Sequence, residues 1–309
     1  MEFPITDLMD RDHCSQWIIE HFHSNGFGCK KCGTGVEQAR KFRVTRRSQL
    51  TVYRCRQCNH SYNLYSGTLF EQHHLTPEQV VLLMRGVVKG ESTKTLAAEL
   101  QLNYQTVLHL RHQLQNQAIA LQPKTPLPDK QSETDEMFQN AGEKGSKHDD
   151  PLDPPRRRGN KQPGKGTYDN DRPPIVGRVG RETGQVRLRV VHNTTGETLV
   201  NHVHQFTVSQ AQLFTDESAS YNHVIRKRAT VCHSQKEWAR DDDGDGIREV
   251  HVNTTEGMWT DVRNFLRPFK GVHKDYLSGY IAIFEFNRNL KRLNAAFIAS
   301  LVTLHTSCR

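Results

Sequence analysis

The clearest hydrophobic pattern in the chain predicts three consecutive helices. In LTPEQVVLLMRGVVKG (75–90) apolar residues recur every three or four positions, which predicts a helix capped by Thr76 and ended by Gly90. Two shorter patterns, STKTLAAEL (92–100) and NYQTVLHLRHQLQN (103–116), predict a second and a third helix separated by a tight turn. We therefore expect this segment to fold as a small helical unit with its own core.

In the second half of the chain the pattern changes to the alternation that is typical of β-strands. PPIVGRVGR (173–181) and QVRLRVVH (185–192) predict a hairpin, and AQLFTD (211–216) predicts a further strand. GETLVNHVHQF (196–206) and most of the segment 251–304 predict helices. Together these elements predict an α+β chain of several domains, in which the second half is a mixed sheet flanked by helices.

Two segments lack a pattern that could form a core. QPKTPLPDKQS (122–132) is rich in proline and polar residues, so we predict an exposed linker over 119–132. Residues 139–173 contain 14 charged residues and only three apolar ones. Such a segment buries too little surface to offset its chain entropy, and we predict that it is disordered.

The overall charge narrows the class of partner. The chain has 309 residues and a formal net charge of +8, which favours a polyanionic partner, nucleic acid before membrane. No apolar run approaches the roughly 20 residues that span a bilayer, and the first residues lack the features of a signal peptide. We therefore expect the protein in a reducing cytoplasm, where its seven cysteines are not expected to form structural disulfides.

Four of the seven cysteines have the spacing of a zinc site. They form two Cys-x-x-Cys pairs separated by 22 residues: Cys29 with Cys32, and Cys55 with Cys58. Each pair can present two thiolates from one tight turn, and two such turns complete a tetrahedral site. A redox motif is the alternative, but it needs only one pair. The spacing therefore predicts a zinc ribbon over 24–70.

The predicted ribbon also carries an unbalanced charge, with nine basic residues and one acid between positions 24 and 60. We interpret this imbalance as a phosphate-binding surface, with Arg46, Arg47 and Arg54 as candidate contacts; a solvated face is the alternative. The apolar residues between the basic ones suit a half-buried strand pair. They are Phe42, Val44, Leu50, Val52 and Tyr53.

The three predicted helices (75–118) resemble a helix-turn-helix because the last two are joined by a tight turn. The alternative is any small helical bundle. The basic ribbon beside them favours DNA binding. The candidate groove-facing residues of the third helix are Tyr104, Gln105, Thr106, His109 and Arg111.

The segment HVNTTEGMWTDVRNF (251–265) combines polar and apolar residues at helical spacing. Asn253, Glu256 and Arg263 are separated by three and seven residues, so they can share one helix face. One interpretation is a capped amphipathic helix with Asn253 as N-cap and Glu256 as the capping-box acid. The other interpretation is a functional face.

Two further acids make the functional interpretation possible. Asp135 lies in the short segment ETDEMF (133–138), and Asp216 ends the strand predicted for AQLFTD. Acids at strand ends can converge across a mixed sheet. Glu256, on a following helix, would complete a cluster of three acids.

The order of these motifs resembles a known family. A zinc ribbon, a helix-turn-helix, TDE, FTDESASY and HVNTTEGMW follow one another as in the insertion-sequence transposases related to the Merlin transposons. VCHS (231–234) and GVHKDYLSGYIAIFEFNRN (271–289) are also similar to stretches of that family. The resemblance covers most of residues 29–292.

The resemblance implies an RNase H-like catalytic domain of the DDE type. Asp135 and Asp216 match its first two acids, and the pair Asn253 and Glu256 matches the third. Arg263 falls where the family often has lysine. The implied division of the chain is an N-terminal segment (1–23), the ribbon (24–70), the helix-turn-helix (75–118), the linker (119–132) and the catalytic domain (133–309).

The implied cofactors are two Mg²⁺ or Mn²⁺ ions besides the structural Zn²⁺. Such ions activate a nucleophile and support a leaving oxygen, and they prefer carboxylate ligands. Asp135 would bridge both ions, Asp216 would hold one, and Glu256 or Asn253 the other. Arg263 or a neighbouring basic residue would hold a phosphate.

The implied function is that of a DNA transposase, which cleaves the ends of an insertion sequence and joins them to a target. Its partner is double-stranded DNA, both the terminal inverted repeats and the target, on which we expect a homo-oligomer. The expected location is the bacterial cytoplasm, at the nucleoid when DNA is bound. A DNA-binding regulator with a non-catalytic domain is the alternative, although it would have no reason to keep three acids. A nuclease that does not rejoin strands would share the same site.

Two other features are weaker candidates. The run DDDGDG (241–246) opens like an EF-hand loop, but position 12 of that loop is Val252 and not glutamate, so we predict an acidic surface turn. His233 is placed near the site by the resemblance alone. A structural histidine is the alternative.

Overall fold

The structure, a computed structural model, describes residues 10–142, 164–290 and 295–303. The chain divides into two compact units. The first unit comprises residues 1–121 and 290–309, and the second unit comprises residues 122–289. None of the helices in the described ranges is long and apolar enough to cross a membrane.

The first unit opens with a helix and a small antiparallel sheet. Helix α1 (Arg11–Phe22) precedes strands β1 (Ala39–Val44), β2 (Thr51–Cys55) and β3 (Ser61–Tyr62), which pair in that order. The strand pair predicted for the ribbon is therefore present.

The prediction that both strands of this pair are half-buried was wrong for β1. Phe42 and Val44 are 50% and 57% exposed, because the faces of β1 that carry them are not covered by another layer of the described residues. Alternation along a strand marks two faces, and it does not show whether another layer covers either of them.

The predicted helices follow as α2 (Pro77–Lys89), α3 (Thr93–Glu99) and α4 (Tyr104–Leu121). Thr76 caps α2 in a capping box with Gln79, and Gly90 ends it with φ 79°. A glycine in this left-handed conformation is a common helix end. The predicted turn before α4 is also present. Asn103 caps α4 as predicted, because its Oδ1 accepts a bond from Gln105 N (2.8 Å).

A last helix, α8 (Ala295–Val302), belongs to the first unit and not to the second. It packs against α1 and α4, and Leu69 N donates to Val302 O (2.7 Å). The sequence prediction had assigned the whole of 133–309 to one domain. The difference arises because the apolar residues of α8, among them Ile298 and Leu301, are buried in the first unit.

The second unit is built on a five-stranded mixed sheet. Its strands are β4 (Gln131–Phe138), β5 (Pro174–Gly180), β6 (Val186–Val190), β7 (Gln212–Asp216) and β8 (Arg228–Val231). The order in the sheet is β6-β5-β4-β7-β8. The first three strands pair antiparallel, whereas β7 is parallel to β4 and β8 to β7. A separate two-stranded sheet pairs β9 (Ala239–Arg240) with β10 (Val250–His251).

Helices cover both faces of this sheet, as predicted. On one face, α6 (Asn253–Leu266) and α7 (Lys274–Asn289) bury Met258, Trp259 and Val262 against residues of β5 and β6. On the other face, α5 (Gly196–Phe206) places Leu199 against Val176 of β5. The mixed sheet flanked by helices is therefore confirmed.

The predicted linker is not exposed throughout. Leu127 and Asp129 are each 1% exposed, and Asp129 accepts bonds from Glu182 N and Thr183 N. Arg189 also donates to Pro123 O. The proline-rich composition did not reveal these partners, which lie more than 50 residues away in sequence.

The predicted disordered insertion is ordered where the structure describes it. Ala141 is buried, and Arg172 donates to Asn140 Oδ1 (2.6 Å) at the far end of the insertion. Gln139 N also donates to Pro173 O (3.1 Å) and Ala141 N to Asp171 O (3.1 Å), so backbone pairing continues beyond β4 and β5. Residues 143–163 of the insertion lie outside the described residues.

Gly177 gives α6 its close approach to the sheet. It lies opposite Asp135 in the β4–β5 pair, and a Cβ built on it would meet Trp259 Cη2 at 2.4 Å. The side chain of Trp259 fills the space that a larger residue would occupy. A glycine is required here because of this contact and not because of its backbone angles.

We predict that Gly177→Ala lowers the free energy of unfolding by about 1–3 kcal/mol, because overpacking forces Trp259 to shift. Urea denaturation measures the difference. Gly257→Ala is the control: no atom lies within 4 Å of its Cβ, and alanine inside a helix should stabilise by up to about 1 kcal/mol. Equal effects of the two substitutions would contradict the packing role of Gly177.

Candidate active site and metal centre

The sheet brings Asp135 and Asp216 together. Glu133 of β4 pairs with Phe214 of the parallel strand β7, and each acid lies two residues further along its strand. Because side chains alternate along a strand, both acids project from the same face. Asp216 ends its strand as predicted, whereas Asp135 lies within β4, which extends three residues beyond it.

The first turn of α6 supplies Glu256. Asn253, Glu256 and Arg263 are all exposed, and their spacing of three and seven residues puts them on one face of the helix. The structure thus places the three predicted residues on one face.

The capping interpretation of this segment is not supported by the bonds of α6. Its N-cap is Val252, and no cap side chain bonds to the first turn. Glu256 N donates to Val252 O, as in an ordinary helix turn. The spacing of Asn253 and Glu256 therefore needs another explanation than a capping box.

The environment of Asp135 is that of a partly buried acid beside other acids. Burial raises its pKa to about 6; a bond from Glu136 N opposes the rise, and the charge of Asp216 adds to it. Trp259 Nε1 donates to Asp135 Oδ2 (2.9 Å) and opposes the rise, whereas the charge of Glu256 adds to it again. All three predicted acids therefore interact electrostatically.

These three carboxylates are more widely spaced than the ligands of a single ion. Among the described residues, only two other groups bring three or more ligand atoms within 4.8 Å of one another. The donors are nevertheless hard oxygens, which suit Mg²⁺ or Mn²⁺. A wider set of carboxylates is what two ions about 3.5–4 Å apart would require.

His233 lies beside this cluster. Its Nε2 is 3.8 Å from Glu256 Oε1, and its ring lies 5.0 Å from that of Trp238. This position agrees with the resemblance that pointed to His233. The Nδ1 atom of His233 is buried.

Two acids that flank Asp135 in ETDEMF were missed by the sequence analysis. Glu133 is fully buried and bonds to the first turn of α6. Glu136 projects from the opposite face and accepts a bond from Tyr221 Oη (2.5 Å). Burial raises the pKa of Glu136 to about 7; the bond from Tyr221 opposes the rise, and the charge of Asp135 adds to it. The sequence does contain a sign of these acids, since three of the four positions 133–136 are acidic.

The four predicted zinc ligands form a cluster. The Sγ atoms of Cys29 and Cys58 are 3.5 Å apart, as are those of Cys32 and Cys55, and all four lie within 4.8 Å of one another. A tetrahedral zinc ion with Zn–S bonds of about 2.3 Å has S···S edges of about 3.8 Å, so the cluster fits this ion.

The backbone around this cluster is also suited to a metal, whereas its thiols differ in acidity. Gly33 and Asn59 follow the two pairs with φ of 76° and 60°, as the tight turns require. A bond from the backbone of His60 lowers the pKa of Cys58, but burial and the neighbouring cysteines outweigh it and raise this pKa to about 12. Bonds from the hydroxyl and backbone of Thr34 lower the pKa of Cys32 to about 6. Such bonds favour the thiolate, the form that binds a metal.

The predicted DNA-binding residues differ in exposure. Arg46 and Arg47 are exposed in the β1–β2 turn, and Arg54 is half-buried with its guanidinium 5.0 Å from the Phe42 ring centre. On α4, Gln105 and His109 are exposed. Thr106, next to Gln105, is half-buried.

The prediction was wrong for Arg111. This residue is 1% exposed, and its Nη2 donates to Glu91 O at the end of α2. The sequence placed Arg111 with the candidate DNA-contacting residues of α4. Its burial is instead decided by its tertiary contact with the end of α2. A buried guanidinium cannot reach a DNA groove.

The acidic loop 241–246 is exposed, as predicted, and its carboxylates bond to its own backbone. Asp241 accepts bonds from Gly244 N and Gly246 N. Asp241, Asp243 and Glu249 offer oxygens within 4.8 Å of one another.

Comparison with known proteins places this geometry in context. Residues 145–289 match the family described as the ISXO2-like transposase domain, of the DDE type. The chain is 26% identical over 292 residues to an uncharacterised protein in the transposable element ISH50 of Halobacterium salinarum, and the match covers 94% of each chain.

The chain is similar to the insertion-sequence DDE transposases. This resemblance, predicted from the sequence, is therefore confirmed. The relation to the Merlin transposons in particular stays a prediction.

Similarity to solved structures is much weaker. A pre-cleavage Mos1 transpososome is 10% identical, with 69% of this chain and 75% of that chain covered, at a TM-score of 0.19. The Mos1 strand transfer complex gives 10% identity and coverage of 68% and 74%, also at a TM-score of 0.19. Such a score is too low to indicate a shared fold.

We predict that the purified protein contains about one zinc ion per chain and that Cys55→Ser/Cys58→Ser loses it. Elemental analysis measures the content. Cys232→Ser is the matched control, since this cysteine lies outside the cluster and should leave zinc unchanged. Full zinc content in the double variant would refute the site.

We also predict that Asp135→Asn stabilises the protein above pH 6 in buffer without added Mg²⁺ or Mn²⁺. The folded-state pKa of Asp135, about 6, lies above the usual value, so the wild type loses stability as the pH rises through about 4 to 6. Asparagine avoids this loss and can still accept the bond from Trp259.

The expected gain is at most about 3 kcal/mol at pH 7, and it should largely vanish near pH 4. Urea denaturation at a series of pH values measures it. A gain that does not change with pH would show that charge on Asp135 is not its cause.

Proposed function

We propose that this protein is a DNA transposase of an insertion sequence, which binds the element ends and catalyses metal-dependent strand cleavage and strand transfer. The observation that carries the proposal is the convergence of three acids in a transposase relative. Asp135 and Asp216 project side by side from β4 and β7, and the charge of Glu256 acts on Asp135.

We assign an RNase H-like fold to the second unit. The support is its mixed five-stranded sheet with helices on both faces, and two acids on adjacent parallel strands. The family match over 145–289 falls within the same unit.

We assign the two-metal site to Asp135, Asp216 and Glu256, with Asn253 beside Glu256 on the same helix face. When bound, two divalent ions would activate a water or a 3′-hydroxyl and support the leaving oxygen. The chain itself holds the acids in place: Trp259 Nε1 orients the Asp135 carboxylate, and Ser218 N donates to Asp216 Oδ1 (3.0 Å). Arg263, exposed about two turns beyond Glu256 on α6, is placed to contact a phosphate.

We assign DNA binding to the first unit. Eight of the nine basic residues of the ribbon are exposed, including Arg46 and Arg47, and they can displace counterions from phosphates. Gln105 and His109 on α4 are exposed and can reach a groove if α3 and α4 act as a helix-turn-helix. Recognition of two element ends and a target is expected to need a homo-oligomer.

We predict that Asp135→Asn, Asp216→Asn and Glu256→Gln each abolish cleavage of a labelled element end in Mg²⁺, because each removes a charged oxygen ligand. Asn253→Ala should leave slow residual cleavage, since a neutral amide attracts Mg²⁺ less than a carboxylate does. The assay is run at equal occupancy of the DNA.

Glu197→Gln is the matched control for Glu256→Gln, because Glu197 is likewise an exposed acid in the first turn of a helix, α5. It should cleave at the wild-type rate. Near-normal cleavage by Glu256→Gln together with an inactive Asn253→Ala would reverse the two roles. Cleavage without any strand-transfer product would show that the protein is a nuclease and not a transposase.

A further inference from the structure

The carboxylate of Glu133 is the most heavily bonded acid near the site. It is fully buried on β4, two residues before Asp135. Its Oε1 accepts bonds from Arg181 Nε (2.8 Å) and Thr254 Oγ1 (2.8 Å). Its Oε2 accepts bonds from Thr255 N (2.9 Å) and Thr255 Oγ1 (3.3 Å).

These bonds replace a local helix cap. The first N–H groups of a helix have no partner within the helix, and they are usually satisfied by a side chain just before it. Val252 offers none to α6. Glu133 reaches across from the sheet instead and places a negative charge at the positive end of the helix.

The position of Glu133 links two parts of the proposed metal site. One side of the link is β4, which carries Asp135. The other is the first turn of α6, where Glu256 directly follows Thr255. We propose that Glu133 is a positioning residue, which sets the distance between Glu256 and Asp135 and thereby the affinity of the site for divalent metal.

A second set of bonds keeps Glu133 in this orientation. Arg181 donates from Nη1 to Glu249 O (2.7 Å) and from Nη2 to His251 O (2.7 Å), on the segment that leads into α6. The guanidinium of Arg181 therefore connects Glu133 to the backbone of the segment that immediately precedes α6. A metal site needs its ligands held within about 0.5 Å, and a network of this kind supplies such precision.

This inference rests on the proposed function, because it assumes a metal site at Asp135 and Glu256. Its test measures metal binding and does not depend on DNA cleavage. Binding of Mn²⁺ to the full-length protein is measured by electron paramagnetic resonance of the free ion, with Asp135→Asn as the reference without the site. Glu133→Gln should weaken Mn²⁺ binding by about 10- to 100-fold, as loss of a group that orients a metal ligand usually does. It should also raise the Mg²⁺ concentration needed for half-maximal cleavage, with binding to element ends unchanged.

Glu285→Gln is the matched control. Glu285 is also fully buried in the second unit and paired with an arginine, Arg189 (2.9 Å). Its bonds to other described residues join α7 to β6 and to Gln122, and none of them goes to α6. A purely structural effect of losing a buried ion pair would appear in both variants as a smaller folded fraction. Only the Glu133 variant should change the metal affinity of the folded fraction.

A milder pair of substitutions tests the same link if Glu133→Gln does not fold. Thr254→Val removes one bond to Glu133 and should weaken Mn²⁺ binding by about threefold, roughly 0.65 kcal/mol, whereas Thr254→Ser keeps the hydroxyl and should bind normally. Unchanged Mn²⁺ affinity in Glu133→Gln or, failing that, in Thr254→Val would overturn the inference.

The proposed function can fail separately. Wild-type protein that binds Mn²⁺ in a Glu133-dependent way but never cleaves DNA would retain the positioning role and refute the transposase activity. Wild-type protein that binds no more Mn²⁺ than Asp135→Asn would overturn both.

Discussion

Repulsion between like charges is the constraint on which the second unit depends. Burial raises the pKa of Asp135, and Asp216 and Glu256 are held close enough that their charges raise it further. No fold gains stability from such an arrangement, so the surrounding structure must impose it. The hydrophobic cluster beneath α6 fixes this helix against the sheet. Trp259 then fixes the position of Asp135, because its ring packs against Gly177 while its Nε1 donates to the Asp135 carboxylate.

Much of the scaffold around these acids could be predicted from local pattern. The alternation in PPIVGRVGR and QVRLRVVH marks β5 and β6, and AQLFTD marks the strand that ends at Asp216. The bounds of α5 agree with the predicted segment because its apolar residues recur at helical spacing. The duplicated cysteine pairs predicted the sulfur cluster, since their spacing admits few other geometries.

What the sequence did not reveal depends on distant partners. Glu133 bonds to residues about 120 positions away, so no local pattern could show that it caps α6. In the sequence Arg111 has the same helical position pattern as exposed residues of α4. Only the tertiary structure shows that it is buried and donates to the carbonyl of Glu91. Asn253 and Glu256 have the spacing of a capping box, yet the cap comes from another strand. In each case the periodicity gave the correct helix, and the tertiary partner decided the role of the residue.

The location of α8 has a consequence for synthesis of the protein. A ribosome delivers α1 to α4 first, but the helix that packs against α1 and α4 is encoded after the entire second unit. The first unit therefore cannot complete its core until nearly the whole chain has been translated. A chain interrupted before residue 295 would lack Ile298 and Leu301 and leave that core open. A completed core in the first unit therefore requires that the whole second unit has already been synthesised.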